Sequence, residues 1–304
     1  MLRGPEARGV AAGRVSEITC VLRASALLGE SPLWDACDRA LYWVDIKRGE
    51  VHRLDPATGQ DARWSTPEEV GSAAVRAAGG LVVALRSGFH FLDPETGRVV
   101  SVARPEPDRR ENRFNDGKPD RRGRFWAGSM HDPETAPTGA LYRLDPDLSC
   151  HRMVDGVVCS NALCWSADGR TMYHGDTAAR TVWAWDSDPG SGEIANRRVF
   201  VRLAPDEGAP DGATVDADGF VWLAHWGGWR LSRFDPTGHV ERVVRLPVQL
   251  PTCPAFGGPD LDVLFVTSAT VGLTPADLHR QPWAGGILAL DPGVRGLAEA
   301  RFPG

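Results

Sequence analysis

The chain has 304 residues and a formal net charge of −6, with 42% hydrophobic and 24% charged residues. This composition is typical of a soluble globular protein, and the length suits one large all-β domain. Acidic and basic residues are interspersed and the balance is acidic. We therefore expect neither a nucleic-acid partner nor a membrane partner, since both select a basic patch.

The first segment, residues 1–15, is rich in Gly, Ala and Arg, and we predict a disordered leader there before a single domain over 16–304. The leader has no apolar run long enough for a secretory signal, and no run of about 18 apolar residues occurs in the sequence. The six cysteines show no zinc-ribbon or Cys-x-x-Cys spacing. These features predict a cytoplasmic protein with reduced thiols.

One pattern of a short apolar strand, a polar turn and a second apolar strand recurs six times. In one copy the strands are residues 210–215 and 221–224, joined by the Asp218-Gly219 turn. The residues that open the six copies lie 41, 44, 46, 50 and 42 residues apart, and they are Glu30, Gly71, Asn115, Asn161, Asp211 and Cys253.

A second mark repeats with the same period, namely a strand that ends in a turn built on Asp. These turns are Leu54-Asp55-Pro56, Leu92-Asp93-Pro94, Leu144-Asp145-Pro146, Trp185-Asp186, Phe234-Asp235-Pro236 and Leu290-Asp291-Pro292. Four short strands per repeat of about 40–50 residues are typical of a β-propeller, and only residues 274–280 look helical. The sequence therefore predicts an all-β, six-bladed β-propeller with four-stranded antiparallel blades around a central channel.

In such a fold the first strand of each blade lines the channel, so the six opening residues should converge at one mouth. Glu30 and Asp211 are carboxylates, and Asn115 and Asn161 are amides. Glu30, Asn161 and Asp211 offer hard oxygen donors that suit Ca²⁺, Mg²⁺ or Mn²⁺ more than Zn²⁺. Two facing carboxylates would also be costly without a cation. Because an isolated Asp-Gly or Asn is usually a turn residue, this interpretation depends on the equivalent positions across blades.

Arg113 and Asn115 lie two residues apart, so on an extended segment they face the same side. A guanidinium and an amide suit the hydroxyls or carbonyl of a small polar ligand, and the alternative is a solvated Arg beside a structural Asn. Residues 130–137 are long enough to reach over the mouth, which makes Glu134 or His131 a candidate substrate contact.

Other residue types point to the core rather than to a site. His174 and His225 occupy equivalent second-strand positions of neighbouring blades and are predicted to be core residues. The strand tryptophans are predicted to pack between blades, and these are Trp43, Trp126, Trp183 and Trp222. Trp226 or Trp229, on a tight connection, could border the channel. No nucleophile elbow, Walker loop, dinucleotide fingerprint or His-Glu-x-x-His occurs in the sequence.

Seven stretches together form a specific set, and they are Leu28-Gly29-Glu30-Ser31-Pro32-Leu33-Trp34, Asn112-Arg113-Phe114-Asn115-Asp116-Gly117-Lys118, Gly123-Arg124-Phe125-Trp126-Ala127-Gly128-Ser129-Met130, Ser160-Asn161-Ala162-Leu163, Pro210-Asp211-Gly212, Phe256-Gly257-Gly258 and Gln281-Pro282-Trp283-Ala284-Gly285-Gly286. This set resembles the SMP-30/gluconolactonase/luciferin-regenerating family, which includes regucalcin and bacterial sugar lactonases. The resemblance spans nearly all of the chain after the leader.

The resemblance implies a six-bladed propeller with one divalent metal in the channel, held by Glu30, Asn161 and Asp211. It also implies substrate contacts at Arg113 and Asn115 and a general-base role for Asp211. A substrate-binding glutamate of some family members matches Glu134 only if one residue is inserted in this loop. The identity of the ion stays open among Ca²⁺, Zn²⁺, Mn²⁺, Mg²⁺ and Fe²⁺.

The resulting hypothesis is metal-dependent hydrolysis of a sugar (aldono-) lactone to the aldonic acid, a gluconolactonase-like reaction in sugar catabolism. The metal would polarise the lactone carbonyl, and Asp211 would take a proton from the attacking water. Two alternatives stay open, an ester or phosphotriester hydrolase on the same scaffold and a non-enzymatic calcium-binding protein of the regucalcin type. The sequence specifies neither the sugar nor the oligomeric state.

Overall fold

The computed structural model of the chain describes residues 17–304, so the predicted leader at residues 1–15 lies outside the described residues. The described chain forms six separate four-stranded antiparallel sheets. Five of these sheets are built from four strands that are consecutive in the sequence, which is the arrangement expected of propeller blades. The prediction of an all-β, six-bladed propeller is confirmed.

The blades follow one another in chain order, each beginning with its innermost strand. Blades one to three consist of β2 (Gly29–Asp35), β3 (Ala40–Asp45), β4 (Glu50–Asp55), β5 (Gln60–Ser65), β6 (Val70–Val75), β7 (Leu81–Leu85), β8 (Gly88–Leu92), β9 (Val99–Ala103), β10 (Asn112–Pro119), β11 (Phe125–His131), β12 (Gly139–Leu144) and β13 (Cys150–Val157). Blades four to six consist of β14 (Ser160–Trp165), β15 (Thr171–Asp176), β16 (Thr181–Ser187), β17 (Ile194–Arg202), β18 (Ala209–Val215), β19 (Val221–Trp226), β20 (Arg230–Phe234), β21 (Val240–Arg245), β22 (Pro251–Gly257), β23 (Val263–Ser268), β24 (Ile287–Leu290) and β1 (Thr19–Leu22).

The ring of blades is closed at two levels. Strand β1 pairs with β24 and forms the outermost strand of blade six, so the first and the last strand of the described chain share one sheet. The first strand of each blade also contacts the first strands of both neighbouring blades, and these strands are β2, β6, β10, β14, β18 and β22. The six first strands therefore surround a central channel.

Every first strand carries an irregularity near the same end of the channel. The register with the second strand shifts between Glu30 and Leu33, Val70 and Ser72, Phe114 and Gly117, Asn161 and Cys164, Pro210 and Ala213, and Pro251 and Pro254. A bulge bends a strand and changes the direction of its side chains, and bulges are common beside active sites. The four polar residues predicted at the mouth lie at or within these shifts, and they are Glu30, Asn115, Asn161 and Asp211.

Three of the four strand tryptophans pack in buried clusters, and these are Trp43, Trp126 and Trp222. Trp222 shows how they are held, because its indole N–H donates to Asp216 (2.9 Å) and its ring meets Phe256 of the next blade edge-on. Trp183 differs from the prediction. It is half-buried and faces Arg197 at 5.4 Å, since β16 presents this side chain towards the outer strand of its own blade rather than towards a neighbouring blade.

The predicted helical insert is present as α1 (Pro275–Arg280), between β23 and β24. Thr274 caps its first turn, and its Oγ1 accepts a hydrogen bond from the Asp277 N–H. A short 3₁₀ turn, Pro205–Glu207, precedes β18. No helix within residues 17–304 is long and apolar enough to cross a membrane.

Residues 295–304 lie across the end of the channel opposite the bulges. Arg301 pairs with Asp35 at the far end of β2, with Nη2 2.6 Å from Oδ1. Phe302 is fully buried, and its N–H donates to the carbonyl of Val75 at the far end of β6 (2.9 Å). This segment has no strand pattern in the sequence, yet it fills the end of the channel and makes the bulged end the accessible mouth.

His174 is a buried core residue, as predicted, with Nε2 2.8 Å from the Ser160 hydroxyl. Burial, assisted by the charge of Arg197, lowers the pKa of His174 to about 4. In the unfolded chain a histidine titrates near pH 6.5. Between these two pH values His174 is protonated in the unfolded state but not in the folded state. The free energy of unfolding therefore decreases as the pH falls from about 6.5 towards about 4.

We expect His174 to contribute about 3 kcal/mol to this loss, because each unit of pKa shift corresponds to about 1.4 kcal/mol. The measurement is urea unfolding at pH 7 and pH 4.5 for the wild type and His174→Gln. The variant should lose less unfolding free energy on acidification than the wild type. Equal losses in the two proteins would show that His174 does not contribute to acid sensitivity.

Candidate active site

A cavity of about 340 Å³ opens at the bulged mouth of the channel. Its wall contains every residue that the sequence assigned to metal, substrate or catalysis, and these are Glu30, Arg113, Asn115, Glu134, Asn161 and Asp211. His131, the other candidate in the blade-three loop, does not line this cavity. Its ring bonds with Glu111 and Thr135 instead.

The other two opening residues, Gly71 and Cys253, do not line the cavity but pack beside strands that do. A Cβ at Gly71 would lie 2.5 Å from the backbone of Phe114, so a glycine lets β6 approach the strand that carries Asn115. A Cβ at Gly212 would lie 2.3 Å from the Cys253 sulfur. Gly71 and Cys253 therefore allow the first strands to pack closely beside the site, and neither adds a ligand group to it.

Glu30 of blade one and Asp211 of blade five form an electrostatically strained pair at the mouth of the channel. Each is only 4% exposed. Burial raises the pKa of both carboxyls, and the charge of Asp116 raises the pKa of Glu30 further, as the charge of Glu30 does for Asp211. A bound cation would remove this conflict, because it stabilises both carboxylates in their charged form.

The amide of Asn161 is oriented by a neighbouring hydroxyl. Thr177 Oγ1 donates its one proton to the carbonyl of Pro210 (2.8 Å), so the same oxygen accepts from Asn161 Nδ2 (2.8 Å). The amide oxygen, Oδ1, therefore points the other way, towards the cavity, and accepts a hydrogen bond from Asn115 Nδ2 (3.1 Å). Asn161 therefore presents an oxygen donor to the site.

These three side chains fit a divalent cation that prefers oxygen ligands. Two carboxylates and an amide oxygen match the chemistry of Ca²⁺, Mg²⁺ or Mn²⁺, with waters completing the coordination. Across residues 17–304 no group of three or more His, Cys, Asp and Glu could hold an ion. The site described above has only two residues of these types, Glu30 and Asp211, and its third protein ligand would be the amide of Asn161.

Arg113 is held rigidly, with one of its three nitrogens left over. Its Nε donates to Asp132 Oδ1 (2.8 Å), and its Nη1 donates to Asn115 Oδ1 (2.7 Å) and to the carbonyl of Phe114 (3.1 Å). Within residues 17–304, no hydrogen bond engages its Nη2. Since Arg113 lines the cavity, Nη2 is the group that a ligand hydroxyl or carbonyl would meet.

Asp132 is the centre of an ion-pair network at the rim of the cavity. Lys47 lies 2.9 Å and Arg86 2.8 Å from its oxygens, in addition to Arg113. Glu69 accepts from the same Lys47 and Arg86, at 2.9 and 2.5 Å. Although burial raises the pKa of Asp132, its hydrogen bonds to Lys47 and Arg113 hold that pKa well below its usual range.

Glu134 reaches the cavity from an exposed turn. Its backbone is in the left-handed region with a φ of 56°, and its N–H donates to the carbonyl of His131 (2.7 Å). The side chain is exposed and lines the outer part of the cavity. This placement keeps Glu134 as a candidate substrate contact, while its role stays a prediction.

Sequence reasoning missed a second ring of residues at the mouth, apart from Trp226, which it named as one of two tryptophans that could border the channel and which lines the cavity. They end or closely follow the second strand of each blade, and they are Lys47, Arg86, Asp132, Thr177, Trp226 and Val271. Five of them line the cavity, and Arg86 pairs with one of those five. The repeat register used for the first strands would have found most of this ring if it had also been applied to the ends of the second strands. Val271 is the exception, because it lies three residues beyond the end of β23.

Below the cavity the channel holds a buried cation. Lys118 Nζ donates to the carbonyl of Ala213 (3.0 Å) and lies 3.8 Å from Glu299 of the C-terminal segment. Burial lowers its pKa, but Glu299, with smaller contributions that include Asp116, outweighs burial, and the net shift is upward. Asp116 is also buried and accepts a hydrogen bond from the Leu163 N–H (2.8 Å). The channel floor is therefore charged and internally compensated.

Comparisons with known proteins agree with this architecture. A family model described as SMP-30/Gluconolactonase/LRE-like region matches residues 28–270. Regucalcin of Xenopus laevis is 40% identical over 296 residues, which cover 95% of this chain and 99% of that protein. A 6-deoxy-6-sulfogluconolactonase of Pseudomonas putida is 37% identical over 291 residues, covering 94% and 99%. The structure of a calcium-binding protein, regucalcin, from Agrobacterium tumefaciens superposes with a TM-score of 0.90 at 28% identity, covering 94% of this chain and 97% of that one.

Proposed function

Because the chain belongs to the SMP-30/gluconolactonase/LRE-like family, we propose that it is a metal-dependent lactonase that hydrolyses an aldonolactone to the aldonic acid. One propeller domain over residues 16–304 would carry this activity. The observation that supports it best is that Glu30, Asn161 and Asp211 line one cavity together with Arg113. The guanidinium of Arg113 is held in place by its hydrogen bond to Asp132. A structural channel would not need two buried carboxylates beside an uncommitted guanidinium nitrogen.

Glu30, Asn161 and Asp211 would hold the ion, which when bound supplies polarisation of the lactone carbonyl. Asp211 would accept a proton from the water that attacks this carbonyl, a role worth about 10²–10⁴-fold in rate. The acyl carbon–oxygen bond of the ring would then break, and the ring oxygen would leave as a hydroxyl by taking the proton that Asp211 had accepted from the water. Arg113, through Nη2, and Asn115 would hold the sugar hydroxyls so that one face of the lactone meets the water.

The relatives support this reaction class and a second candidate. The Pseudomonas putida relative is named as a lactonase of a sugar-acid lactone, which supports a lactone substrate. The Agrobacterium tumefaciens relative is described as a calcium-binding protein, which supports Ca²⁺ as the ion and a non-enzymatic calcium-binding role as the second candidate. All six cysteines are free thiols, which supports the predicted cytoplasmic setting.

The direct test uses metal-depleted protein reloaded separately with Ca²⁺, Zn²⁺, Mn²⁺, Mg²⁺ or Fe²⁺. Acid release is then followed at constant pH with a panel of aldonolactones and with one phosphotriester. We expect lactone hydrolysis that depends on the added ion and exceeds phosphotriester hydrolysis.

Arg113→Met separates the two candidates in the same assay. The variant removes a substrate contact and keeps all three predicted metal ligands, so we expect lost hydrolysis with little change in metal affinity measured by calorimetry. If the wild type binds Ca²⁺ but hydrolyses no ester under any metal, the lactonase assignment is wrong and the calcium-binding role remains.

A further inference from the structure

We propose that the site selects aldonolactones with an apolar group at the end remote from the reacting carbonyl, such as the methyl group of a 6-deoxysugar. Lactones with a hydroxymethyl, phosphorylated or sulfonated group at that position would be poorer substrates. This inference rests on the proposed lactonase function and concerns which lactone the same cavity accepts. It follows from the uneven distribution of side chains around the mouth.

One side of the cavity is apolar. Trp226 of blade five, Val271 and Gly272 of blade six, and Leu28 of blade one come from consecutive blades and line this side. Of the described residues of blade six, only Val271 and Gly272 line the wall. Val271 is 39% exposed, so part of it is open to a ligand, and its neighbour Leu27 is exposed to the same extent. We call Leu28, Trp226, Val271 and Gly272 the apolar wall.

The apolar wall is fixed by the backbone and offers no hydroxyl from its own loop. The N–H of Val271 donates to the carbonyl of Leu27 (3.0 Å). The nearest hydroxyl along the chain, Thr270 Oγ1, donates to the carbonyl of Ala26 (2.8 Å) and is therefore committed. A ligand group placed against Val271 would meet methyl groups rather than a hydrogen-bond partner.

The rest of the cavity wall carries the charged side chains, but its cations are already paired. Lys47 Nζ lies 2.9 Å from both Glu69 and Asp132, and Arg113 shares the same Asp132. Among residues 17–304, the cavity wall has four carboxylates and two cations. A divalent ion would bring this wall to neutrality and leave no surplus positive charge for an anionic substituent.

The expected preferences differ in size because their physical causes differ. An apolar pocket rejects an added hydroxyl only weakly, so we expect about a tenfold preference for methyl over hydroxymethyl. A phosphate or sulfonate would lose its water without gaining a cation, so we expect at least about a 100-fold loss relative to the methyl compound.

The test compares D-glucono-1,5-lactone with its 6-deoxy, 6-phospho and 6-deoxy-6-sulfo analogues. The 6-deoxy and 6-hydroxy pair is repeated in the galacto configuration, so that ring stereochemistry does not decide the outcome. The measured quantity is kcat/KM for each lactone. Calorimetric binding of the matching lactams, which resist hydrolysis, gives the same comparison independently of catalysis.

Val271→Ser tests the wall directly, with Val240→Ser as the matched control, because Val240 is 53% exposed on the outer strand β21. We expect Val271→Ser to reduce the methyl preference to within about threefold and Val240→Ser to leave it unchanged. Equal affinity for the deoxy and hydroxy lactams, tighter binding of the charged ones, or an unaltered preference in Val271→Ser would overturn this inference alone. Selective lactam binding without hydrolysis of any lactone would overturn the proposed function and leave the inferred selectivity standing.

Discussion

Asp211→Asn is expected to reduce lactone kcat/KM by about 10²–10⁴-fold and, at the same time, to make the metal-free protein more stable than the wild type. The loss of activity follows because the substitution removes both the proposed general base and one negatively charged metal ligand. Kinetics at saturating metal and thermal unfolding after chelation measure the two effects separately.

The gain in stability follows from the buried pair. Burial raises the pKa of Asp211 and of Glu30, and their charges oppose each other. An amide at position 211 keeps the size of the side chain and removes one of the two charges. Added metal should reverse the order, since an ion that binds only the folded wild type at 100 times its Kd stabilises it by about 2.7 kcal/mol.

Asp206→Asn is the matched control, because Asp206 is an exposed acid on the 3₁₀ turn that precedes the same strand. It should change neither activity nor metal-dependent stability. An Asp211→Asn protein that retains activity within tenfold of the wild type, or that is less stable than the wild type without metal, would remove the basis for a metal held between Glu30 and Asp211.

The sequence predicted the fold well because the signals that define a blade are local. Asp-Gly and Asp-Pro turns set each hairpin, and Gly219, with a φ of 86°, lies at the turn that its Asp-Gly pair predicts. The repeat then placed Glu30, Asn115, Asn161 and Asp211 in one register without any knowledge of their neighbours. The local turns define the repeat, and the repeat in turn predicts where the site lies.

The features that the sequence did not reveal depend on contacts between distant segments. The carboxylate that fixes Arg113 belongs to Asp132, which is itself neutralised by Lys47 of blade one and Arg86 of blade two. No spacing within one blade specifies a contact that spans three blades. Val271 is similar, since its place on the cavity wall depends on the course of an irregular connection before α1.

The closure of the channel floor was missed for the same reason. Phe302 ends in the core only because residues 295–304 cross the far end of the ring. Glu299 of this segment lies 3.8 Å from Lys118 and 3.5 Å from Arg121. A lone Glu near a chain end carries no pattern that predicts such partners, so this part of the channel required the three-dimensional structure.

Lys118→Met should lower the free energy of unfolding by about 3–5 kcal/mol, the usual effect of removing one partner of a buried charge pair. Methionine retains much of the lysine's apolar stem, so the loss reports the charge more than the packing. Asp116 would keep its hydrogen bond from Leu163 but lose the cation that lowers its pKa. Urea unfolding of the metal-free variant measures the effect.

The double variant Lys118→Met/Asp116→Asn shows whether charge is the cause, because the neutral amide no longer needs the cation. We expect it to recover at least half of the lost stability, whereas equal instability of the single and double variants would point to packing instead.

Lys47→Met, at a partly exposed ion pair of the rim, should lower the free energy of unfolding by no more than about 1 kcal/mol. Lys118 offsets the charge of Asp116 in part, and Glu299 is also close to Arg121. Glu30 and Asp211 form a second buried acidic pair in the described channel, and their two charges match one divalent ion.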